Sequence, residues 1–282
     1  MILNSIGGEN MNTITDKEFI NLVAYIKRNF GVDLYHKKSL VTSRLINYLT
    51  ENKYKSFTHF FDHVLADKTG EATTLLLNKL TTNHTYFMRE SQHFNMFRNE
   101  VLPYLERTLH AKKDLNIWSA GCSSGEEPYT LAMIIADYFG INKKEWDTRI
   151  LATDISTQVL EKAVNGIYKK EDIETLPKRW QSRYFEELTN GNYKIIQKIN
   201  REVIFKRFNL MGERFPFKRK FHVIFCRNVM IYFDSDTKKE LVNRFYEYTE
   251  DGGYLFIGHS ESLSRDETKY SYVVPAVYRK LP

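Results

Sequence analysis

Between residues 15 and 110 apolar positions recur at helical spacing, and no convincing strand interrupts them. Phe19, Leu22, Val23, Ile26 and Phe30 fall at i, i+3, i+4, i+7 and i+11. Thr15 and Glu18 stand at capping-box spacing before them, and Gly31 supplies a stop. This predicts one amphipathic helix. A second is predicted from near Tyr35, with Val41, Leu45, Tyr48 and Leu49 on its apolar face and Lys37 and Arg44, seven positions apart, on one edge. From residue 115 the pattern changes. Short β-rich runs, LNIWSA, TRILATD, REVIFKRFNL, FHVIFCRN, GGYLFIGHS and YVVPAVYRK, alternate with helical stretches, the mark of an α/β domain with a mainly parallel sheet. The segment between the second and third runs is longer than an ordinary connection and carries a turn signal at Asn190, Gly191 and Asn192. It reads as an inserted helix plus a small antiparallel hairpin.

A chain of 282 residues with 42% hydrophobic content buries a sizeable core in one or two domains. The first 13 residues lack a basic start and an apolar core, and no run of 18 apolar residues occurs, so a soluble, cytoplasmic protein without membrane insertion is expected. Cys122 and Cys226 lie 104 positions apart with no Cys/His cluster near them. They are expected to be buried thiols, with neither disulfide nor structural metal. The net charge of +6 is spread along the chain, about +3 over residues 11–110 and about +4 beyond them. Such a balance suits an acidic protein partner at least as well as nucleic acid, because duplex binders concentrate Lys and Arg on one face.

The candidate chemistry gathers where the first strand of the α/β region turns into its helix, in NIWSAGCSSGEEPYTLAMII, residues 116–135. In an open parallel sheet the ligand binds beyond the carboxyl ends of the strands. Gly121 and Gly125 are expected to let the backbone approach a ligand, and Pro128 is allowed in a first helical turn. The stretch is not GxGxxG. Glu126 and Glu127 occupy the helix start, where a pyrophosphate needs bare N–H groups and is repelled by carboxylates. A cationic ligand fits better, and S-adenosylmethionine carries an ammonium and a sulfonium. The second strand ends in Asp154, an acid placed to accept hydrogen bonds from both ribose hydroxyls of a nucleoside. An ordinary strand-to-helix turn with an acid at the helix start accounts for the same residues without a ligand.

Five motifs carry a resemblance beyond spacing: TTNHTYFMRE (81–90), WSAGCSSGEEPYTLA (118–132), ATDIS (152–156), CRNVMIYF (226–233) and GHSESL (258–263). Together they resemble the bacterial chemotaxis receptor methyltransferases, the CheR family, over residues 15–280 and in the family's order. The resemblance implies a small all-α N-terminal domain and a Rossmann-like S-adenosylmethionine domain with a small antiparallel β-subdomain insert. On this chain the expected boundaries are a disordered start at 1–13, a helical domain at 14–80, a linker helix at 81–114, and the methyltransferase domain at 115–282 with its insert at about 166–205. It further implies that Asn83, Thr85 and Arg89 reach the cofactor from the linker, with Gly121, Glu126 and Asp154 below. Asn209 and Leu210 are expected to flank the adenine, and Arg227 and Asn228 to close the pocket. Tyr232 is expected to face the reacting methyl group, with Arg89 near the methionine or substrate carboxylate. No metal is expected.

The reaction implied is methyl transfer from S-adenosylmethionine to receptor glutamates, giving S-adenosylhomocysteine and a γ-methyl ester. The partners implied are the cytoplasmic helical domains of methyl-accepting receptors, approached by a monomeric enzyme, and Lys37 and Arg44 are the candidate docking residues unless they merely form a solvated face. A glutamate is already ionised at neutral pH, so the absence of a Ser/His/Asp or Cys/His constellation does not count against an enzyme. Two other readings use the same sequence. A nucleic-acid methyltransferase draws on the basic stretch Lys198 to Lys220, with eight Lys/Arg against two Glu. It lacks a D/N-P-P-Y-like motif and a Pro-Cys context. A non-catalytic S-adenosylmethionine-sensing or receptor-docking module needs neither Arg89 nor Tyr232. The turn in EELTNGNYKII is short and holds one glycine, which weighs against a peptide-binding loop in the insert.

Overall fold

The computed structural model describes residues 13–81, 84–264 and 268–282, and the chain divides into two compact units, Met1–Asn83 and His84–Pro282. The described part of the first unit is built from α1 (Asp16–Phe30), α2 (Lys38–Glu51), α3 (Phe57–Ala66) and α4 (Glu71–Leu80). Thr15 caps α1 as expected: its hydroxyl accepts from the Glu18 N–H, and the Glu18 carboxylate accepts from the Thr15 N–H at 3.0 Å. The other Glu18 oxygen accepts from the Thr58 N–H and hydroxyl, tying α1 to the start of α3. Gly31 ends α1 at φ 73°, a left-handed conformation that costs glycine little. The second helix starts later than its apolar pattern suggests. Asp33 accepts from the Tyr35 N–H and Leu34 from the Lys37 N–H, so residues 34–37 form a turn and Lys37 precedes α2.

The second unit begins with α5 (Ser91–Met96), a π-helical turn (Phe97–Val101) and α6 (Leu102–Thr108). Next come β1 (Ile117–Ala120), α7 (Glu126–Phe139), β2 (Ile150–Asp154) and α8 (Thr157–Asn165). The insert follows as β3 (Ile167–Tyr168), α9 (Lys170–Ile173), α10 (Lys178–Tyr184), β4 (Phe185–Glu187), β5 (Tyr193–Ile195) and α11 (Gln197–Asn200). Then come β6 (Val203–Arg207), β7 (Phe221–Cys226), α12 (Ser235–Glu247), β8 (Thr249–Ile257), β9 (Ser271–Val274) and β10 (Val277–Arg279).

Seven strands form one sheet in the order β6-β2-β1-β7-β8-β10-β9. The first five run parallel, β10 pairs antiparallel with β8, and β9 pairs antiparallel with β10. All four residues of β1, Ile-Trp-Ser-Ala, are buried, which is why large apolar and small side chains fill both faces and no charged position alternates with them. Trp118 packs edge-on against Phe215, Phe217 and Phe245 on one face. On the other, Phe225 stacks on Phe256 at 4.4 Å and receives Phe94 and Phe97 from α5 and the π turn.

The insert is a three-stranded antiparallel sheet, β3-β5-β4, one strand more than the expected hairpin. Asp137 of α7 anchors it by accepting from Trp180 Nε1, Tyr184 Oη and Arg183 Nη1. The run YVVPAVYRK, expected as one strand, folds back on itself because Pro275 has no N–H to donate and Ala276 turns at φ 62°. Among the described residues no helix is long and apolar enough to cross a membrane. In the large sheet β1 has β2 on one side and β7 on the other, so the strand order reverses there and opens a crevice at the carboxyl ends.

Candidate functional site

On the β1/β2 side of the crevice the loop after β1 is drawn onto β2. The Gly121 and Cys122 N–H groups donate to the Thr153 carbonyl, and the Ser123 N–H donates to Asp154 Oδ2 at 2.9 Å. The other Asp154 oxygen accepts from the Ser156 N–H at 3.0 Å. Burial raises the Asp154 pKa against the pull of these amides. A carboxylate offers about four lone-pair sites, so the Ser123 and Ser156 amides, with the Ile155 amide beside them, leave it acceptor capacity for a ligand hydroxyl. Phe208 N–H binds the Asp154 carbonyl, which puts Asn209 and Leu210 directly beyond this acid; the Asn209 side chain accepts from the Met211 N–H.

Packing within the chain by itself requires the two glycines here. A Cβ on Gly121, at φ 87°, meets Val229 Cγ2 at 2.4 Å, and one on Gly125, at φ 97°, meets Ala163 and the Tyr168 hydroxyl. Both exclude side chains so that neighbouring chain segments can close in. Tyr168 Oη also donates to the Ser124 carbonyl, fixing the loop from the insert.

The two acids at the start of α7 part company. Glu126 is 7% exposed and accepts from Ser124 Oγ, and burial raises its pKa. Glu127 points inward, accepting from Ser119 Oγ at 2.8 Å and Arg227 Nη1 at 3.0 Å. Burial raises its pKa in spite of the neighbouring guanidinium.

On the β7/β8 side Arg227 is the centre. Its side chain is 2% exposed and lies between Glu127 and Glu90, donating to both at 3.0 Å and to the Arg89 carbonyl, with its guanidinium over the Phe94 ring. Asn228, in the left-handed region at φ 60°, donates through Nδ2 to Glu90. Burial opposes the charge on Glu90, but Asn228 and Arg227 hold its carboxyl below the usual range. Glu261 accepts from the N–H groups of Gly258, Asn228 and Ile231. Tyr232 closes the short 3-10 turn Met230–Tyr232 and is half-buried.

Most of the expected site residues converge on the second unit. Gly121, Glu126, Asp154, Asn209, Leu210, Arg227 and Asn228 belong to the two loop systems just described. The Arg227 guanidinium is committed to internal ion pairs rather than turned to a ligand. Arg89 donates to the His84 carbonyl, beside the Tyr86 ring, and Thr85 is half-buried. Asn83 lies outside the described residues. In the first unit Lys37 is exposed, whereas Arg44 Nη1 donates to the Leu80 and Thr81 carbonyls and so caps α4. The sequence reading named neither Glu90 nor Glu261 as a site residue, and used Glu127 only as a charge at the helix start. Each is an acid inside one of the quoted motifs, Glu90 in TTNHTYFMRE, Glu127 in WSAGCSSGEEPYTLA and Glu261 in GHSESL, and that placement is the signal that could have marked them.

Among the described residues Glu90, His93 and His259 bring one potential metal-ligand atom each within 4.8 Å of one another. Glu90 is already taken up by Arg227, Asn228 and the His259 N–H. Burial and the Arg227 charge keep His93 neutral, with a pKa lowered to about 4. Arg227 stands beside the trio as a fixed cation, so the donor set is unsuited to a divalent ion. Both cysteines are free and buried, and burial pushes their thiols well up.

Residues 83–278 match the family described as CheR methyltransferase, SAM binding domain, and residues 17–81 match CheR methyltransferase, all-alpha domain. A chemotaxis protein methyltransferase of Borreliella burgdorferi is 44% identical over 276 residues, covering 96% of this chain and 97% of its own. Chemotaxis protein methyltransferase 2 of Vibrio cholerae is 35% identical, covering 89% and 88%. The Escherichia coli chemotaxis protein methyltransferase is 34% identical over 94% of this chain and 91% of its own.

Proposed function

The chain belongs to the CheR methyltransferase family, and we propose that it transfers a methyl group from S-adenosylmethionine to the γ-carboxylate of glutamates on chemotaxis receptors. The observation that carries this reading is Asp154, which stands at a strand end beside the point where strand order reverses and keeps acceptor capacity beyond its backbone N–H partners. That donor set fits the cofactor: an acid for ribose hydroxyls, and at the start of α7 a second acid, Glu126, whose charge suits an ammonium. When bound, S-adenosylmethionine supplies an electrophilic methyl on a sulfonium.

The chain's own residues then have three tasks. Asp154 and the 121–125 loop hold the nucleoside end, and Asn209 and Leu210 border the base beyond Asp154. Arg89 and Tyr232 orient the incoming glutamate without deprotonating it, since a free glutamate with a pKa of about 4.3 is ionised already. Alignment and partial dehydration are the main contribution, worth up to about 7 to 11 kcal/mol for well-oriented reactants. Holding the anion too tightly slows the step, because charge is annihilated along the path. Lys37 is the exposed cation of the first unit's docking pair and meets an acidic receptor helix; Arg44 supports it by holding the end of α4.

The test is incubation of the chain with S-adenosylmethionine and a receptor cytoplasmic fragment, followed by mass analysis of its helical peptides. Methyl on glutamate, released by mild base as an ester is, is the expected result. Label on lysine, or label stable to base, overturns the carboxylate as acceptor.

A further inference from the structure

We propose that Glu261 is a positioning residue for methyl transfer, holding the turn that carries Asn228 and Tyr232 in the shape the transfer requires. The inference rests on the methyl-transfer reading and adds to it a residue that touches neither cofactor nor substrate. Three observations carry it. First, one buried carboxylate gathers three backbone N–H groups from two strand ends: Gly258 after β8, and Asn228 and Ile231 after β7, the last two at 3.0 and 3.1 Å. The Gly258 bond is buried and the Asn228 and Ile231 bonds are part-buried, so a weaker acceptor leaves the Gly258 amide unsatisfied and loosens its hold on the other two.

Second, the turn passes through the left-handed region: Asn228 sits at φ 60°, a conformation that asparagine accepts at lower cost than other L-residues but still shares with alternatives until contacts select it. Two contacts determine it here: the Glu261 carboxylate on its N–H and Glu90 on its side chain. Gly258 shows how close the two strand ends come, because a Cβ there meets Asn228 Nδ2 at 2.5 Å. Third, Tyr232 follows directly on Ile231 in the Met230–Tyr232 turn, so the amide bound by Glu261 is the one that sets the direction in which the turn presents Tyr232.

The experiment uses the full chain with Glu261→Gln, which keeps size and removes the charge and one acceptor oxygen. Amide hydrogen exchange, read without receptor, is expected to quicken by about tenfold at Asn228 and Ile231 while Ile117–Ala120 stays unchanged. With a receptor fragment, the single-turnover rate is expected to fall by about tenfold while the S-adenosylmethionine dissociation constant moves by less than about threefold. On a Tyr232→Phe background the same substitution is expected to change the rate by less than about threefold, since both act through one group. Unchanged exchange at Asn228 and Ile231, or fully multiplicative rate losses in the double variant, overturns the proposal. So does a melting-point drop with exchange quickened equally in β1, which marks a general loss of structure. A wild-type chain that binds S-adenosylmethionine yet methylates nothing overturns the function and the proposal together. An active wild type with an undiminished Glu261→Gln rate overturns the proposal alone.

Discussion

At the β1/β2 end of the crevice Asp154 accepts from the Ser123 and Ser156 N–H groups with the Ile155 amide beside them and keeps acceptor capacity, whereas at the β7/β8 end Glu261 accepts from Gly258, Asn228 and Ile231 with the Met230 amide beside them and is 6% exposed. Both acids are raised in pKa by burial, and both stitch a loop to a strand end. The difference lies in what is left over. A carboxylate with spare lone pairs is a place for a ligand, and one whose lone pairs are spent on its own backbone is scaffold. Glu126 and Glu127 differ in their partners instead: Glu126 accepts from the neighbouring Ser124 hydroxyl, whereas Glu127 is held by Ser119 and the Arg227 guanidinium.

The comparison breaks most visibly at Arg227. Arg227→Ala leaves Glu90 and Glu127 without their shared cation, and should cost about 3 to 5 kcal/mol of stability in chemical denaturation. A loss no larger than that of a surface substitution refutes the scaffold assignment of the β7/β8 end. Asp154→Ala should do the reverse: a cofactor affinity weaker by about 1.5 to 3 kcal/mol in calorimetry, with a smaller effect on the melt. Unchanged affinity removes Asp154 from the site.

Protons sharpen the same point. A folded-state carboxylate pKa raised by burial means that apo Asp154 takes up a proton at a pH above the usual aspartate range. A ligand whose hydroxyls donate to the ionised form must expel that proton. Cofactor affinity should therefore be constant near neutrality and fall as pH drops through this raised value, with proton release on binding visible across buffers of different ionisation enthalpy. In apo protein the sign is opposite: the raised pKa favours the folded state at low pH, and that contribution is lost as pH rises through the folded value. The transfer step itself should stay nearly flat between about pH 6 and 8, because no base has a proton to remove from the glutamate. Tyr232→Phe should lower the single-turnover rate with little change in cofactor affinity. The smallest effect belongs to the first unit, where Arg44→Ala should cost about 0.5 to 1.5 kcal/mol through loss of the α4 cap, read by thermal melting.

Local signals in the sequence carried a long way. The capping box at Thr15, the β-rich run LNIWSA and the acid ending β2 each depend on residues within a few positions of one another, and each is found where its pattern predicts. Long-range pairing left no such trace. Arg227 meets Glu90 from 137 positions away, so nothing near either residue announces that this arginine is buried between two acids rather than turned to a ligand. Gly121 was legible as a position needing glycine, but its neighbour, Val229, is a partner that only the closed sheet supplies. The late start of α2 reflects Asp33 capturing a nearby amide, a competition that apolar spacing does not register.

The tip of the insert has a different kind of consequence. Gly191 is exposed with nothing within 4 Å of where a Cβ would stand, and the turn is closed by its own Leu188, Asn190 and Asn192 groups. Adding chain there asks only for loop-closure entropy, about 0.6 kcal/mol for each doubling of length, and disturbs no packed neighbour. Of the polypeptide described, this hairpin tip is where length can drift or be engineered, by grafted residues or a reporter tag, while the crevice keeps its geometry.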